Sequence, residues 1–294
     1  MKMHSASPLV YLKSWWQCGR YATLFDHLSC YVLFIGHPRS GSSVTGSLLN
    51  AHRNALICNE LNVLQCLRMG YRSRRQLLWL HCMRDRYFET LGRTWTGYDY
   101  RVRGGHQGEV DRLRVIGDKK AAGTSDRLQR NSQLLNRLQD LVVTPVRLVH
   151  ILRHPLDIIG RVCIRNGMSV DRASRRFFAR CETVQRVMEE NEFPVHTMYL
   201  ERLIANPIQQ LAQLTSFCRL DSDDSYLSNC RETLVDKPRE CRDQVEWPAG
   251  SIDSIMRRCE SFGYMRPYFE PTAKTGSTSN SSASPIVAQQ RRAA

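Results

Sequence analysis

The segment Tyr31-Val-Leu-Phe-Ile-Gly-His-Pro-Arg-Ser-Gly-Ser-Ser43 constrains the fold more than any other part of the chain. An apolar run rich in β-formers breaks into a loop of small and polar residues, and helix-forming sequence from Val44 to Ala51 follows at once. Strand, tight loop and helix N-terminus in succession bring free backbone N–H groups and the positive end of a helix dipole to one point. Such a point is suited to an anion. Ser42 and Ser43 add hydroxyl donors, Arg39 adds a fixed positive charge, and Ser40 and Gly41 complete the loop. The spacing of Gly36 and Gly41 matches a Walker A loop, but Ser42 stands where that loop needs its lysine. The expected anion is therefore not the β/γ-phosphate of ATP.

Five short apolar runs read as buried strands: Tyr31–Ile35, Ala55–Cys58, Leu113–Ile116, Val146–Leu152 and Val195–Leu200. Helical patterns lie between and after them, at Val44–Ala51, Leu61–Met69, Arg74–Leu91, Asp126–Leu141, Val170–Glu190, Pro207–Cys218 and Ile252–Phe262. Strands alternating with helices predict an α/β fold, a single P-loop-like domain with a central, mainly parallel sheet flanked by helices. That domain is expected over residues 31–268, after an N-terminal extension at 1–30. Residues 92–112, rich in Gly, Arg and Tyr, read as a long functional loop or lid. The Thr/Ser/Ala-rich stretch 269–294 reads as a disordered tail.

The formal charge of +14 predicts attraction to polyanions, and arginine supplies most of it. Lysine occurs only at 2, 13, 119, 120, 237 and 274, which makes the adjacent Lys119 and Lys120 conspicuous. Most arginines, including Arg172, Arg175 and Arg176 of the long helix, are expected to form a solvated basic face. The 11 cysteines contain no Cys-x-x-Cys pair, so reduced thiols packed as small hydrophobes are expected, without disulfides or zinc. There is no membrane-spanning apolar run and no signal-peptide pattern, which leads to an expected cytoplasmic location. Trp15 and Trp16 are expected to pack on the domain rather than touch a membrane.

Ligands of open parallel sheets bind beyond the carboxyl ends of the strands. Arg39, Ser42 and Ser43 follow the first strand and Glu60 the second. Asp118, Lys119 and Lys120 follow the third, and Arg153, with Pro155 and Arg161, the fourth. Cationic groups and one carboxylate around a single crevice suit in-line transfer of an anionic group to a hydroxyl.

These residues match a family. Gly-His-Pro-Arg-Ser-Gly-Ser-Ser43 resembles the 5′-phosphosulfate loop of sulfotransferases that use 3′-phosphoadenosine 5′-phosphosulfate (PAPS). With Leu-Leu-Asn-Ala-His52 and Cys-Asn-Glu60 it is most similar to the tyrosylprotein-sulfotransferase branch and its bacterial relatives. The resemblance implies Glu60 as general base, with Lys119 and Arg39 supporting the transferring sulfonate. Leu-Val-His-Ile-Leu-Arg-His-Pro-Leu-Asp157 resembles the 3′-phosphate segment and implies a role for Arg153. Met-Tyr-Leu-Glu-Arg-Leu and Asn-Pro207 resemble the strand and helix whose tyrosine, here Tyr199, contacts the nucleotide. Arg161 stands where the family usually has a serine, a departure that bears on the 3′-phosphate contacts. PAPS is thus the implied co-substrate and a hydroxyl-bearing acceptor the implied partner (carbohydrate, lipid, small molecule or peptide tyrosine). Neither a metal nor a nucleic acid is expected.

Two other classes remain open at this stage: a P-loop-like nucleotide kinase and a non-catalytic polyanion-binding module. Arg153 has a structural alternative in an ion pair with Asp157, and Tyr199 an alternative as a core residue. His37, His52 and His106 carry no partner pattern that would single one out as a base.

Overall fold

A computed structural model describes residues 8–21 and 23–270. Five strands form one sheet: β1 (Cys30–Gly36), β2 (Ala55–Asn59), β5 (Val115–Lys119), β6 (Val146–Leu152) and β7 (Val195–Tyr199). Two short strands, β3 (Thr94–Trp95) and β4 (Tyr98–Asp99), pair separately as an antiparallel hairpin. The main sheet runs in the order β2-β5-β1-β6-β7 and every pairing in it is parallel. The fold is therefore α/β with a central parallel sheet.

The helices before and between the first strands are α1 (Pro8–Gln17), α2 (Ser42–Asn50), α3 (Val63–Arg68), α4 (Arg74–Thr90), α5 (Ala121–Leu128) and α6 (Leu134–Val142). Those after β6 are α7 (Pro155–Asn166), α8 (Val170–Glu190), α9 (Leu200–Ala205), α10 (Pro207–Phe217), α11 (Asp224–Thr233) and α12 (Ser251–Glu260).

Strand β1 shows why the sheet is covered on both faces. Its side chains alternate, so Tyr31, Leu33 and Ile35 enter one core with residues of α3, α4 and α6. Cys30, Val32 and Phe34 enter the other with residues of α2, α10 and α11. A strand buried on both faces reads as an unbroken apolar run, as this one does. Truncating a fully buried leucine such as Leu33 would cost about 2–5 kcal/mol.

The observed elements correct the expected ones at several points. The third strand lies at Val115–Lys119, not Leu113–Ile116, so Asp118 and Lys119 belong to β5 itself. Its polar end is tolerated because the Asp118 carboxylate accepts the backbone N–H groups of Leu61 and Val63 at 3.0 and 2.8 Å. The helix expected over Asp126–Leu141 is two, α5 and α6, separated by a break at 129–133. Helices α1, α7, α9 and α11 add to those predicted; α7 starts on Pro155 at its first turn, where the missing N–H costs nothing. Trp15 and Trp16 do not pack on the domain: they are 68% and 84% exposed, because α1 seats its opposite face. None of the 11 cysteines, all of them among the described residues, forms a disulfide, and only Cys18 and Cys163 are not buried. The expected tail falls, from residue 271 on, outside the described residues.

Three histidines are held neutral in the core. Burial pushes His81 down to about 4, His150 down to about 3, and His37 well below its usual 6.5. His81 faces the Leu77 carbonyl through Nδ1 at 2.8 Å and the Tyr31 hydroxyl through Nε2 at 2.7 Å. The neutral tautomer with its proton on Nδ1 satisfies both contacts. Below 6.5 the unfolded chain binds more protons at these sites than the native one, so stability falls as the pH drops through that value. Asp118, raised to about 6 by burial, and Asp85, also raised by burial, act in the opposite direction, but burial lowers His52, His154 and His196 as well, so two carboxyls oppose six imidazoles. Thermal unfolding should therefore show Tm falling from about pH 7 to about pH 5, whereas a flat or rising Tm would contradict the assignment.

Candidate active site

The sheet changes direction at β1. The chain goes outward one way to β5 and β2 and the other way to β6 and β7, which makes the carboxyl end of β1 a topological switch point. The loop at that end holds the predicted anion residues. Gly41, the residue before α2, has φ +100°, a conformation that a side chain would strain. Arg39 adopts φ +66° without being glycine. Ser40 is buried and its Oγ donates to the His37 carbonyl at 3.0 Å, closing the turn. The first N–H groups of the nine-residue α2 have no acceptor within the helix.

Glu60 and Lys119 are brought together from neighbouring strands. Lys119 Nζ donates to Glu60 Oε1 at 2.7 Å and to Ser43 Oγ at 2.8 Å. Lys120 Nζ also donates to Glu60, through Oε2. The Lys119 side chain is 3% exposed, that of Lys120 32%, so the first is the interior member of the pair. Burial pushes the Glu60 carboxyl up, but the two ammonium groups together pull it further down, and it rests below its usual 4.5. Burial lowers the Lys119 ammonium, partly countered by Glu60. Glu60 (φ +63°) and Asn62 (φ +69°) both hold left-handed backbone, each at a cost of about 1–3 kcal/mol. The N–H groups of Leu61 and Val63, captured by Asp118, fix this turn.

Next to this pair opens a cavity of about 430 Å³. Its lining includes Arg39, Gly41, Ser42, Ser43, Arg153 and Arg161, Tyr98, Asp99 and Tyr100 from the segment 92–112, and Lys237 and Arg239 after α11, but neither Glu60 nor Lys119. Arg153 is 6% exposed, and its Nε and Nη2 meet no hydrogen-bond partner. Asp157 does not pair with it. That carboxylate instead accepts the N–H groups of Cys241 and Arg242 at 2.7 and 3.0 Å. A buried guanidinium without a carboxylate is costly unless an anion meets it. Burial, followed by the charges of Arg165 and Arg161, lowers the Arg39 guanidinium, a sign of crowded positive charge at the mouth.

The segment 92–112 closes over the loop. Arg39 Nη1 donates to Thr96 Oγ1 at 3.3 Å, Arg165 Nη1 to the Thr96 carbonyl at 3.4 Å, and Ser47 Oγ to the Tyr100 carbonyl. Arg93, 2% exposed, anchors the segment through two bonds of 3.0 Å to Asp85. Asn50 of α2 donates to the same carboxylate at 2.9 Å and accepts the N–H of Ile57 at 2.7 Å. The segment 92–112, α2 and the second strand thus share one buried polar network.

Not every predicted residue reaches the cavity. Tyr199, at the end of β7, donates its hydroxyl to the Tyr264 carbonyl at 2.7 Å and stands apart from the lining. His37 is buried against Phe177, with ring centroids 4.3 Å apart. His52 is tied to the Asp221 carbonyl and the Asn54 N–H. His106 lies on the exposed outer part of the lid segment. Sequence reasoning passed over Asp118 as a positioning group, and also Arg93, Tyr100 and Arg239. For Lys237 a signal existed, since it is one of only six lysines. Among the described residues no cluster of three or more His, Cys, Asp or Glu side chains forms a metal-ligand set.

No protein-family model and no curated protein sequence matches the chain. Solved structures do. The sulfotransferase domain from the Synechococcus PCC 7002 olefin synthase matches with a TM-score of 0.50 at 15% identity, over 81% of this chain and 97% of that one. The sulfotransferase domain from the curacin biosynthetic pathway gives 0.49 at 15% identity, over 80% of this chain and 99% of that one. Sulfotransferase STF9 from Mycobacterium avium gives 0.48 at 11% identity, over 87% and 86%. The first of these likenesses establishes a shared fold.

Asp118 gives a direct check on the geometry. Asp118→Asn keeps one carbonyl acceptor where two oxygens now serve two N–H groups. It should cost about 1–3 kcal/mol in denaturant unfolding at neutral pH, and a variant as stable as the parent would contradict the role given to this carboxylate.

Proposed function

We propose that this protein transfers a sulfonate group from PAPS to an acceptor hydroxyl and releases 3′,5′-ADP. The observation that carries the reading is Arg153, a buried guanidinium on the cavity wall with Nε and Nη2 unpartnered. A 3′-phosphate is the group that guanidinium geometry suits. The loop from Arg39 to Ser43, with the N-terminus of α2, receives the 5′-phosphosulfate at the other end of the cavity. Arg161 also lines the cavity and supplies a charge where the related motif has a hydroxyl.

Glu60 serves as the general base. In the reaction the acceptor oxygen bonds to sulfur as the bond from sulfur to the 5′-phosphate oxygen breaks. The hydroxyl proton passes to Glu60 and the leaving 3′,5′-ADP keeps the electron pair. Lys119 and Arg39 face the charge that builds on the sulfonate and bridging oxygens, the preorganised electrostatics that contributes most in such transfers. An incoming anion competes with Glu60 for Lys119. Loss of that ammonium would raise the carboxyl from its depressed state and make it a better proton acceptor. The fold shared with a sulfotransferase domain supports the reading, and so does the absence of a Walker lysine at Ser42. The acceptor is a hydroxyl compound whose class the motifs leave open.

Calorimetric titration tests the donor site. The protein should bind 3′,5′-ADP in preference to ADP and ATP, and Arg153→Ala should weaken that binding by about 10–100-fold. Preference for ATP, or equal affinity in the variant, would overturn the reading. Glu60→Gln should bind 3′,5′-ADP like the parent yet lose about 10²–10⁴-fold in sulfonate transfer once an acceptor is in hand. Unchanged transfer would remove Glu60 from the mechanism.

A further inference from the structure

Helix α1 is seated by one face only. Val10 and Ser14 are buried, Ser14 Oγ accepts from Gln76 Nε2 at 3.3 Å, and the Tyr11 ring meets Tyr71 edge-on at 5.0 Å. At about 100° per residue, Leu9, Leu12 and Trp16 fall together on the opposite side, with Trp15 flanking them. They are 71%, 63%, 84% and 68% exposed. Four large apolar side chains thus cover the outward face of a single helix, an arrangement that marks an interaction surface rather than scattered exposure.

The surroundings say what kind of surface this face meets. No acidic residue precedes Asp26 in the sequence. Lys13 borders the apolar face, and Arg72 and Arg75, both exposed, flank the Tyr71 and Gln76 that hold α1 in place. Paired tryptophans beside leucines, rimmed by cations, match a lipid–water interface with anionic headgroups. Indole rings favour that boundary, and the basic rim is drawn to the lipid charge. The helix is far too short to cross a bilayer, and among the described residues no helix is long and apolar enough to do so.

We propose that α1 docks the protein peripherally on an anionic membrane. Leu9, Leu12, Trp15 and Trp16 enter the headgroup boundary, and Lys13, Arg72 and Arg75 meet the lipid charges. The geometry also sets an orientation. Helix α4 begins beside Phe25 and Val142, whose carbonyls accept from Arg74 at 3.3 and 2.7 Å and which precede β1 and β6. The docking face therefore lies toward the amino ends of the strands, and the candidate active site opens at the other end. This inference does not rest on the proposed reaction.

Co-sedimentation of the full chain with phosphatidylcholine vesicles, with and without phosphatidylserine, tests it. The protein should partition onto the phosphatidylserine vesicles, with binding weakened by added salt and with a blue shift of tryptophan fluorescence. Leu12→Ser with Trp16→Ser should reduce partitioning about tenfold or more, and so should Lys13→Glu with Arg72→Glu, while far-UV circular dichroism stays that of the parent. No binding to phosphatidylserine vesicles would overturn the proposal, as would equal binding by the folded variants. A dimer in light scattering that the Leu12/Trp16 variant dissociates, in a protein that ignores vesicles, would assign the face to a second copy of the chain instead.

Discussion

The position of one ammonium group ties the candidate site together. Lys119 leaves β5 beneath α2 and reaches Glu60 after β2 and Ser43 at the start of α2. Gly46 makes room for it: a Cβ at that position would stand 2.8 Å from Lys119 Cγ. The ammonium is buried, so its charge must be met. Glu60 meets it in this structure, and an anion in the neighbouring cavity would compete for it. A carboxylate and an ammonium are thereby held in one buried contact. The two groups are lowered for opposite reasons: attraction to the ammonium groups outweighs burial at Glu60, whereas burial outweighs attraction to Glu60 at Lys119.

Arg39, Glu60 and Asn62 hold left-handed backbone in the loops after β1 and β2, as do Arg93, Thr96 and Gln107 in the segment 92–112. Asp118 fixes the turn after β2, and the Arg93–Asp85–Asn50 network anchors the segment 92–112 to α2 and α4. The anchoring groups are buried inside the scaffold while Arg39, Arg153 and Arg161 face the cavity. That division, rigid satisfied groups behind and unpaired cations in front, is what an anion-binding site requires.

Much of the fold was legible because β1 and β6 are apolar on both faces, and the α/β alternation left few other arrangements. The strand–loop–helix turn after β1 was legible for a local reason: Gly41 and the serines sit between a strand and a helix in consecutive residues. Asp118 was not legible as a support for Glu60. Its partners are N–H groups 55 and 57 residues away, and only the pairing of β2 with β5 brings them near. The end of β5 was misplaced for a related reason, since Asp118 and Lys119 look like loop residues until their buried partners are known. Arg93, Tyr100 and Arg239 reach the site from segments without regular pattern. The exposure of Trp15 and Trp16 was hidden because composition marks tryptophan as core, whereas helical phase, with Val10 and Ser14 inward, decides otherwise.

The central claim is that the cavity between the Arg39–Ser43 loop and the Lys237–Arg239 segment is a donor-nucleotide site. The most direct measurement is a crystal structure of the protein soaked with 3′,5′-ADP. The account predicts the nucleotide in this cavity, its 3′-phosphate within hydrogen-bond reach of Arg153 and its 5′-phosphate at the N–H groups of Ser42 and Ser43. Density for the nucleotide elsewhere, or Arg153 left unpaired beside an occupied cavity, would contradict it.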